Sequence, residues 1–340
     1  MRRILLGSAA LLLLFLSFYL GGLFLFSVSP GPGDRQPVLF EVSRGQSQRE
    51  IAQLLEEKKI VSSAEDFRFL GRVLGKWSQL KAGEYQLSSQ MSPLQVLSVL
   101  TSGASFGRPL TVREGENSYE IAKDLETLRP GLGAEFLHLA LQSGARMEGY
   151  LFPETYAITR TMTAEGVIKA MVRQFEAKGD PAWTVRAAEL GMSRHQIVIL
   201  ASIIEKETGA PEERPMISSV FHNRLKKGMR LQSDPTTIYG IWESYDGNIR
   251  RADLLRPTPF NTYTVPALPA GPIGNPGKES IRAALYPAES DFLFFVSKND
   301  GTHEFTSTLV EHNAAVREFQ LRASAREGKS WRNLQKRGQQ

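Results

Sequence analysis

With 340 residues, 41% of them hydrophobic and 23% charged, the chain is long enough for two or three domains and has no low-complexity or disorder signature. It contains no cysteine, which excludes a disulfide framework, a thiolate metal site, a cysteine nucleophile and a lipid-bearing cysteine. The formal charge of +5 is concentrated at the two ends, in Arg2 and Arg3 and in seven Lys/Arg from Arg317 onward, so the body is slightly acidic and lacks the broad basic face of a nucleic-acid binder.

From Ile4 to Val28 every residue is apolar or small, and no charge intervenes between Arg3 and Asp34. As a helix at 1.5 Å per residue this stretch spans a hydrocarbon core of about 30 Å. It is longer than the apolar region of a cleavable signal, so a retained transmembrane anchor is expected, although Ser27-Val28-Ser29 keeps cleavage open. Arg2 and Arg3 place the amino end in the cytoplasm and the rest in the periplasm or outside the cell. Pro30 to Asp34 then reads as a linker.

Val38 to Val42 reads as a short strand, Arg44-Gly45 as a turn, and Ile51, Ala52, Leu54 and Leu55 as the buried face of a helix capped by Ser47 with Glu50 three positions later. The phrase returns 70 positions on. Val42, Gly45, Glu50, Ile51, Ala52 and Leu55 align with Val112, Gly115, Glu120, Ile121, Ala122 and Leu125, with Ser118 as the expected second cap. A duplicated small α/β unit follows from this repeat. Its pattern V-x-x-G-x-x-x-x-E-I-A resembles the opening half of LysM modules, which bind N-acetylglucosamine-containing glycans; the same residues would equally serve a turn and a core face.

Between the copies, Phe67 to Leu74 has helical spacing, Gly83 to Leu87 reads as turn and strand, and Pro93 to Leu100 as a helix. Gly103-Ala104-Ser105-Phe106-Gly107 meets the spelling of a nucleophile elbow but follows a helix instead of a strand, and is read as a linker. Beyond the second copy, Met147 to Tyr156 is aromatic and turn-rich, and Ala164 to Lys178 forms a helix with Val167, Ile168, Met171, Val172 and Phe175 on its core face.

Gln196 to Thr208 is the central stretch: nine uncharged, mostly apolar residues, then Glu205-Lys206-Glu207, then a stop at Gly209-Ala210-Pro211. A buried helix that ends in carboxylates can hold a general acid against a cleft, because burial disfavours the ionised form. A solvent-facing helix end is the plain alternative. Glu205 and Glu207 lie roughly 200° apart on a helix, so only one faces a cleft, and periodicity does not decide which. Downstream, a helix with Asn223 and Arg224 leads into the polar loop Gly228 to Thr237, which contains Gln232 and Asp234; Asn261-Thr262-Tyr263 and Leu268 to Gly277 add two stiff polar loops suited to a polymer groove. The five histidines show no H-E-x-x-H spacing, and Gly277-Lys278-Glu279 fails the P-loop pattern.

Ala201 to Thr208, Ser219 to Leu225, Met229 to Thr236, Asn261 to Tyr263 and Gly271 to Gly277 together resemble the YceG-like (MltG) family of endolytic peptidoglycan lytic transglycosylases, with Met147 to Tyr156, Gly301 to Phe305 and Glu311 to Asn313 also fitting. Met147 and Ala270 replace the usual Leu and Pro with little change in volume or rigidity. The resemblance implies that the first glutamate of the Glu-Lys-Glu, Glu205, is the catalytic acid; Glu207 is then a structural ion-pair candidate. Asn223, Gln232, Asp234, Asn261 and Tyr263 are the expected sugar-binding or acid-orienting residues.

The implied reaction cleaves the bond between N-acetylmuramic acid and N-acetylglucosamine and closes a 1,6-anhydro ring on the muramic acid, with one carboxylate as acid and then base and with no cofactor or metal. A muramidase using water with Asp234, and a non-catalytic glycan-binding scaffold, are the alternatives. The expected fold class is α+β. Residues 1–33 form stub, anchor and linker, 34–106 a small α/β domain, 107–160 a LysM-like subdomain, 161–320 a mixed α+β catalytic domain and 321–340 a basic tail. Expected partners are peptidoglycan strands and the inner membrane, with cell-wall synthases as candidates and no nucleic acid.

Overall fold

The computed structural model describes residues 2–142 and 147–322; the side chains of 2–13 and 16 are outside that set, as is the basic tail from 323 on. Its contacts divide the chain into two compact units, 1–109 with 156–162, and 110–155 with the chain from 163 onward.

The first unit begins with helix α1, Arg2–Val28. Among the described residues no helix is long and apolar enough to cross a membrane. The anchor expected over Ile4 to Val28 falls in part, at 4–13 and 16, on side chains outside them, and the described part, from 14 on, is shorter than the roughly 20 residues a bilayer core requires. Strand β1, Val38–Val42, is followed by helices α2, Gln48–Glu57, and α3, Ala64–Val73, then by β2, Gly83–Leu87, and helix α4, Pro93–Ser102. The two strands pair antiparallel from Val38 against Leu87 to Val42 against Gly83. Alternation turns Phe40 and Val42 into a core with Ile51, Leu55, Phe67, Tyr85 and Leu97. Trp77 closes this core edge-on to Phe67.

β3, Gly107–Thr111, and β4, Thr155–Thr159, pair with each other. Helices α5, Ser118–Leu128, and α6, Leu132–Leu141, lie between them in sequence and group with the second unit, so the span 107–160 is shared between the two units.

The repeat is real in local geometry. Gly45 and Gly115 share φ +81°, which a side chain rarely adopts. Ser43 N–H donates to Gln46 Oε1, and Arg113 N–H donates to Glu116 Oε2. Ser47 and Glu50 form a capping box on α2. On α5 the box is Asn117 with Glu120, not Ser118 as expected: Ser118 is already helical, and only the residue before it has the extended backbone that turns its side chain onto Glu120 N–H.

The second unit continues with α7, Ala164–Lys178, α8, Ala182–Glu189, and α9, Arg194–Glu207. A capping box of Ser193 and Gln196 starts α9, and Thr208 ends it in extended conformation. Every residue from Ile197 to Ile204 is buried, since α8, α10 (Arg214–Lys226), α11 (Asp234–Gly240) and α13 (Lys278–Leu285) pack around it. Each large side chain there contributes about 1.5–3 kcal/mol on burial. The one hydroxyl in the run, Ser202, donates to Ile199 O and accepts from Ile273 N–H at 3.1 Å, so it ties the 271–277 loop to the helix. Helix α12, Arg251–Leu255, the antiparallel hairpin of β5, Phe294–Ser297, and β6, His303–Thr306, and helix α14, Leu309–Val316, complete the unit.

Candidate active site

The last turn of α9 sends its two carboxylates to opposite surroundings. Glu205 accepts from Arg214 Nη2 at 3.0 Å and from Gly277 N–H at 2.9 Å, and its side chain is 5% exposed. Arg214 also reaches Glu114, whose pKa is raised by burial and by the charge of Glu205. Both oxygens of Glu205 are therefore engaged, and it works as a clamp between α9, α10 and the 271–277 loop.

Glu207 faces a cleft of about 340 Å³. It accepts a short hydrogen bond from Ser233 Oγ. Burial, reinforced by the charge of Asp234 and opposed by the Ser233 bond and Arg224, pushes its pKa up to about 7. Gln232, Asp234, Tyr263 and Arg224 line the polar side of the cleft, with Phe294, Phe295, Leu309 and His312 opposite. Tyr263 OH donates to Asp234 Oδ1 at 2.7 Å, and burial together with that bond raises the tyrosine pKa. Gln232 has φ +52°, a conformation that costs a non-glycine residue free energy and is found where surrounding structure imposes it, often at functional sites.

The ion pair expected of Glu207 is thus made by Glu205, and it is Glu207 that lines the cleft with Gln232, Asp234 and Tyr263. The physical reason is the position of Arg214, which follows the Pro211 stop and draws Glu205 to its side.

Asn223 and Asn261 do not line the cleft. Asn223 Nδ2 donates to Ser290 O and Phe292 O. Asn261 is fully buried, donating to three carbonyls from Asp253 to Arg256 and accepting from Thr237 Oγ1 and Tyr263 N–H. Both amides hold the loops that carry cleft residues.

Arg224 was absent from the expected set. It donates to Leu293 O and Leu231 O, fixing both walls, and its guanidinium lies 5.3 Å from the Phe294 ring centre. Its place beside Asn223 in the motif was the available signal. Among the described residues no group of three His, Cys, Asp or Glu is arranged to hold a metal; His303 is bound to Glu213 and His312 stacks on Phe294.

The YceG-like family matches residues 40–318. A protein of Bacillus subtilis named endolytic murein transglycosylase is 33% identical over 88% of this chain and 91% of its own length. One of that name from Streptococcus pneumoniae is 28% identical over 82% of this chain, which spans 57% of that longer protein. The crystal structure of a yceG-like protein from Listeria monocytogenes matches with a TM-score of 0.56 and 33% identity over 83% of this chain and the whole of that one. On the span of these matches, the chain belongs to the YceG-like family.

Proposed function

We propose that this chain is a membrane-anchored endolytic lytic transglycosylase of peptidoglycan, with Glu207 as its acid and base. One observation carries the reading: the Glu207 carboxyl, held by Ser233, opens onto a cleft beside Asp234, Tyr263 and Gln232, where burial raises its pKa to about 7. The names of the relatives supply the reaction class.

Protonated Glu207 gives its proton to the glycosidic oxygen leaving C1 of N-acetylmuramic acid, and the C1–O bond breaks through an oxocarbenium-like transition state. The Asp234 carboxylate, oriented by Tyr263, lies where negative charge favours that cation. The Glu207 carboxylate then takes the proton of the sugar's C6 hydroxyl, whose oxygen closes onto C1. The proton count returns to its start and no water is consumed. The apolar wall of Phe294, Phe295 and Leu309 suits a reaction that excludes water.

Asp234 at the cleft also favours a second reading, hydrolysis of the same bond with Asp234 activating water. Mass spectrometry of digested peptidoglycan separates them: 1,6-anhydro-N-acetylmuramic ends support the transglycosylase, and reducing ends overturn it in favour of the muramidase. Since the acid must start protonated, kcat/KM is expected to fall tenfold per pH unit above about pH 7 and to lose this limb in Glu207→Gln.

The anchor belongs to the same proposal. Helix α1 has 27 residues, and the sequence from Ile4 to Gly33 is uncharged. Anchored this way, the catalytic unit meets membrane-proximal strands on the outer side of the cytoplasmic membrane, where cell-wall synthases work, and the duplicated units add LysM-like glycan contacts. Replacing the anchor by a cleavable signal should change the cellular effect and leave turnover of isolated peptidoglycan intact; loss of turnover in that form contradicts it.

A further inference from the structure

The second unit holds another buried carboxyl that the reaction above does not use. Glu148 is 3% exposed and makes no ion pair among the described residues. Its oxygens accept from Ser118 N–H at the start of α5, at 3.1 and 3.2 Å, from Asn275 Nδ2 at 3.1 Å and from Tyr239 OH at 2.8 Å. All these partners donate, so the pocket is built around an acceptor-only carboxylate. Asn275 is itself fixed, accepting Gly149 N–H and Leu151 N–H on Oδ1.

Tyr239 stands at the far end of α11, and the near end of that helix is Asp234, preceded by Ser233. Tyr239 lies five positions after Asp234 on the helix, about 7–8 Å along the axis. Ser233 bonds Glu207, and Asp234 stands beside it in the cleft. One short helix is therefore held at one end by Glu148 and presents the partners of Glu207 at the other.

We propose that Glu148 is a positioning residue for the cleft: through its bond to Tyr239 it fixes α11 so that Ser233 and Asp234 meet Glu207. This rests on the reading of Glu207 as the acid. Protonation of Glu148 would oblige the Tyr239 bond to reverse or leave a donor without an acceptor, so the helix is held best by the carboxylate. The ionisable groups around Glu148 are Tyr239 from α11 and Glu120 from α5, the latter 3.7 Å from Lys206 of α9; Ser118 and Asn275 are neutral. Burial first, and the charge of Glu120 last, push the Glu148 pKa up to about 7 against the hydrogen bonds that lower it. The acid limb of the pH–rate profile accordingly belongs to Glu148 and the alkaline limb to Glu207.

The test measures kcat and KM on soluble glycan strands from pH 5 to 9 with the full chain in detergent, as wild type, Glu148→Gln, Tyr239→Phe, the double variant and Glu207→Gln. Both single variants should lose roughly 10-fold to 100-fold in kcat with KM unchanged, as a misplacement of about 1 Å does. The double variant should lose no more than the worse single, and Glu148→Gln should flatten the acid limb while keeping the alkaline one. Wild-type kcat in folded Glu148→Gln or Tyr239→Phe, or losses that multiply in the double variant, would overturn the proposal. Tyr239→Phe decides alone if Glu148→Gln does not fold, because it removes a single oxygen. Full turnover in Glu207→Gln instead sinks the assignment of the acid, an outcome distinct from failure of the Glu148 variants beside an inactive Glu207→Gln.

Discussion

Glu207→Gln should lower turnover of peptidoglycan by about 10²–10⁴-fold, the usual contribution of a general acid-base group, while the protein stays folded and still binds glycan strands. The amide keeps the volume of the carboxyl and can still pair with Ser233, but it carries no proton to give. Glu205→Gln should behave differently. It weakens the contact with Arg214 and lowers thermal stability, and below its melting temperature it should turn over substrate as the wild type does, because Glu205 is committed to Arg214 and Gly277 N–H. The opposite pattern, with an inactive folded Glu205→Gln and an active Glu207→Gln, contradicts the assignment.

Arg214→Ala should produce the largest loss of stability. It leaves Glu205, 5% exposed, without its counter-ion, and removing one partner of a buried pair costs about 3–5 kcal/mol. The melting temperature should fall by several degrees or more in differential scanning calorimetry. The double variant Glu205→Gln/Arg214→Ala should recover part of that loss, since no unpaired charge remains. Additive losses would show that the two side chains do not work as a pair. Glu207 and Glu148 act with the opposite sign in pH. Their folded pKa values lie above the ordinary carboxyl value of about 4.5, so the folded state holds more protons between about pH 4.5 and 7, and their contribution to stability is full below that window and fades as pH rises through it.

The elements of this fold were legible where local chemistry settles them. Val38–Val42, Gly83–Leu87 and Ala164–Lys178 fall where alternation and helical spacing put them, and the buried run of α9 ends at the expected stop. The second cap was misplaced by one residue, although the repeat offered the answer: Ser47 plus 70 is Asn117, and a capping box preserves its spacing to Glu120. The cleft was legible in part. Gln232, Asp234 and Tyr263, polar residues in stiff loops, line it. Asn223 and Asn261 bind loop carbonyls instead, and an amide that does so has the same sequence signature as one that meets a ligand. Which glutamate faces the cleft could not be read from α9 at all. Helix geometry separates the two carboxylates by roughly 200°, and their surroundings are set by Arg214, Ser233 and Gly277, which only tertiary packing brings to the helix end.

The most direct test of Glu207 as the acid is a crystal structure of Glu207→Gln with a muropeptide oligomer bound. The scissile glycosidic oxygen should lie within hydrogen-bond reach, about 3 Å, of the substituted side chain at 207, with the flanking sugars against Gln232, Asp234 and Tyr263. A glycan seated with that oxygen against Glu205, or bound away from the cleft altogether, would contradict the account.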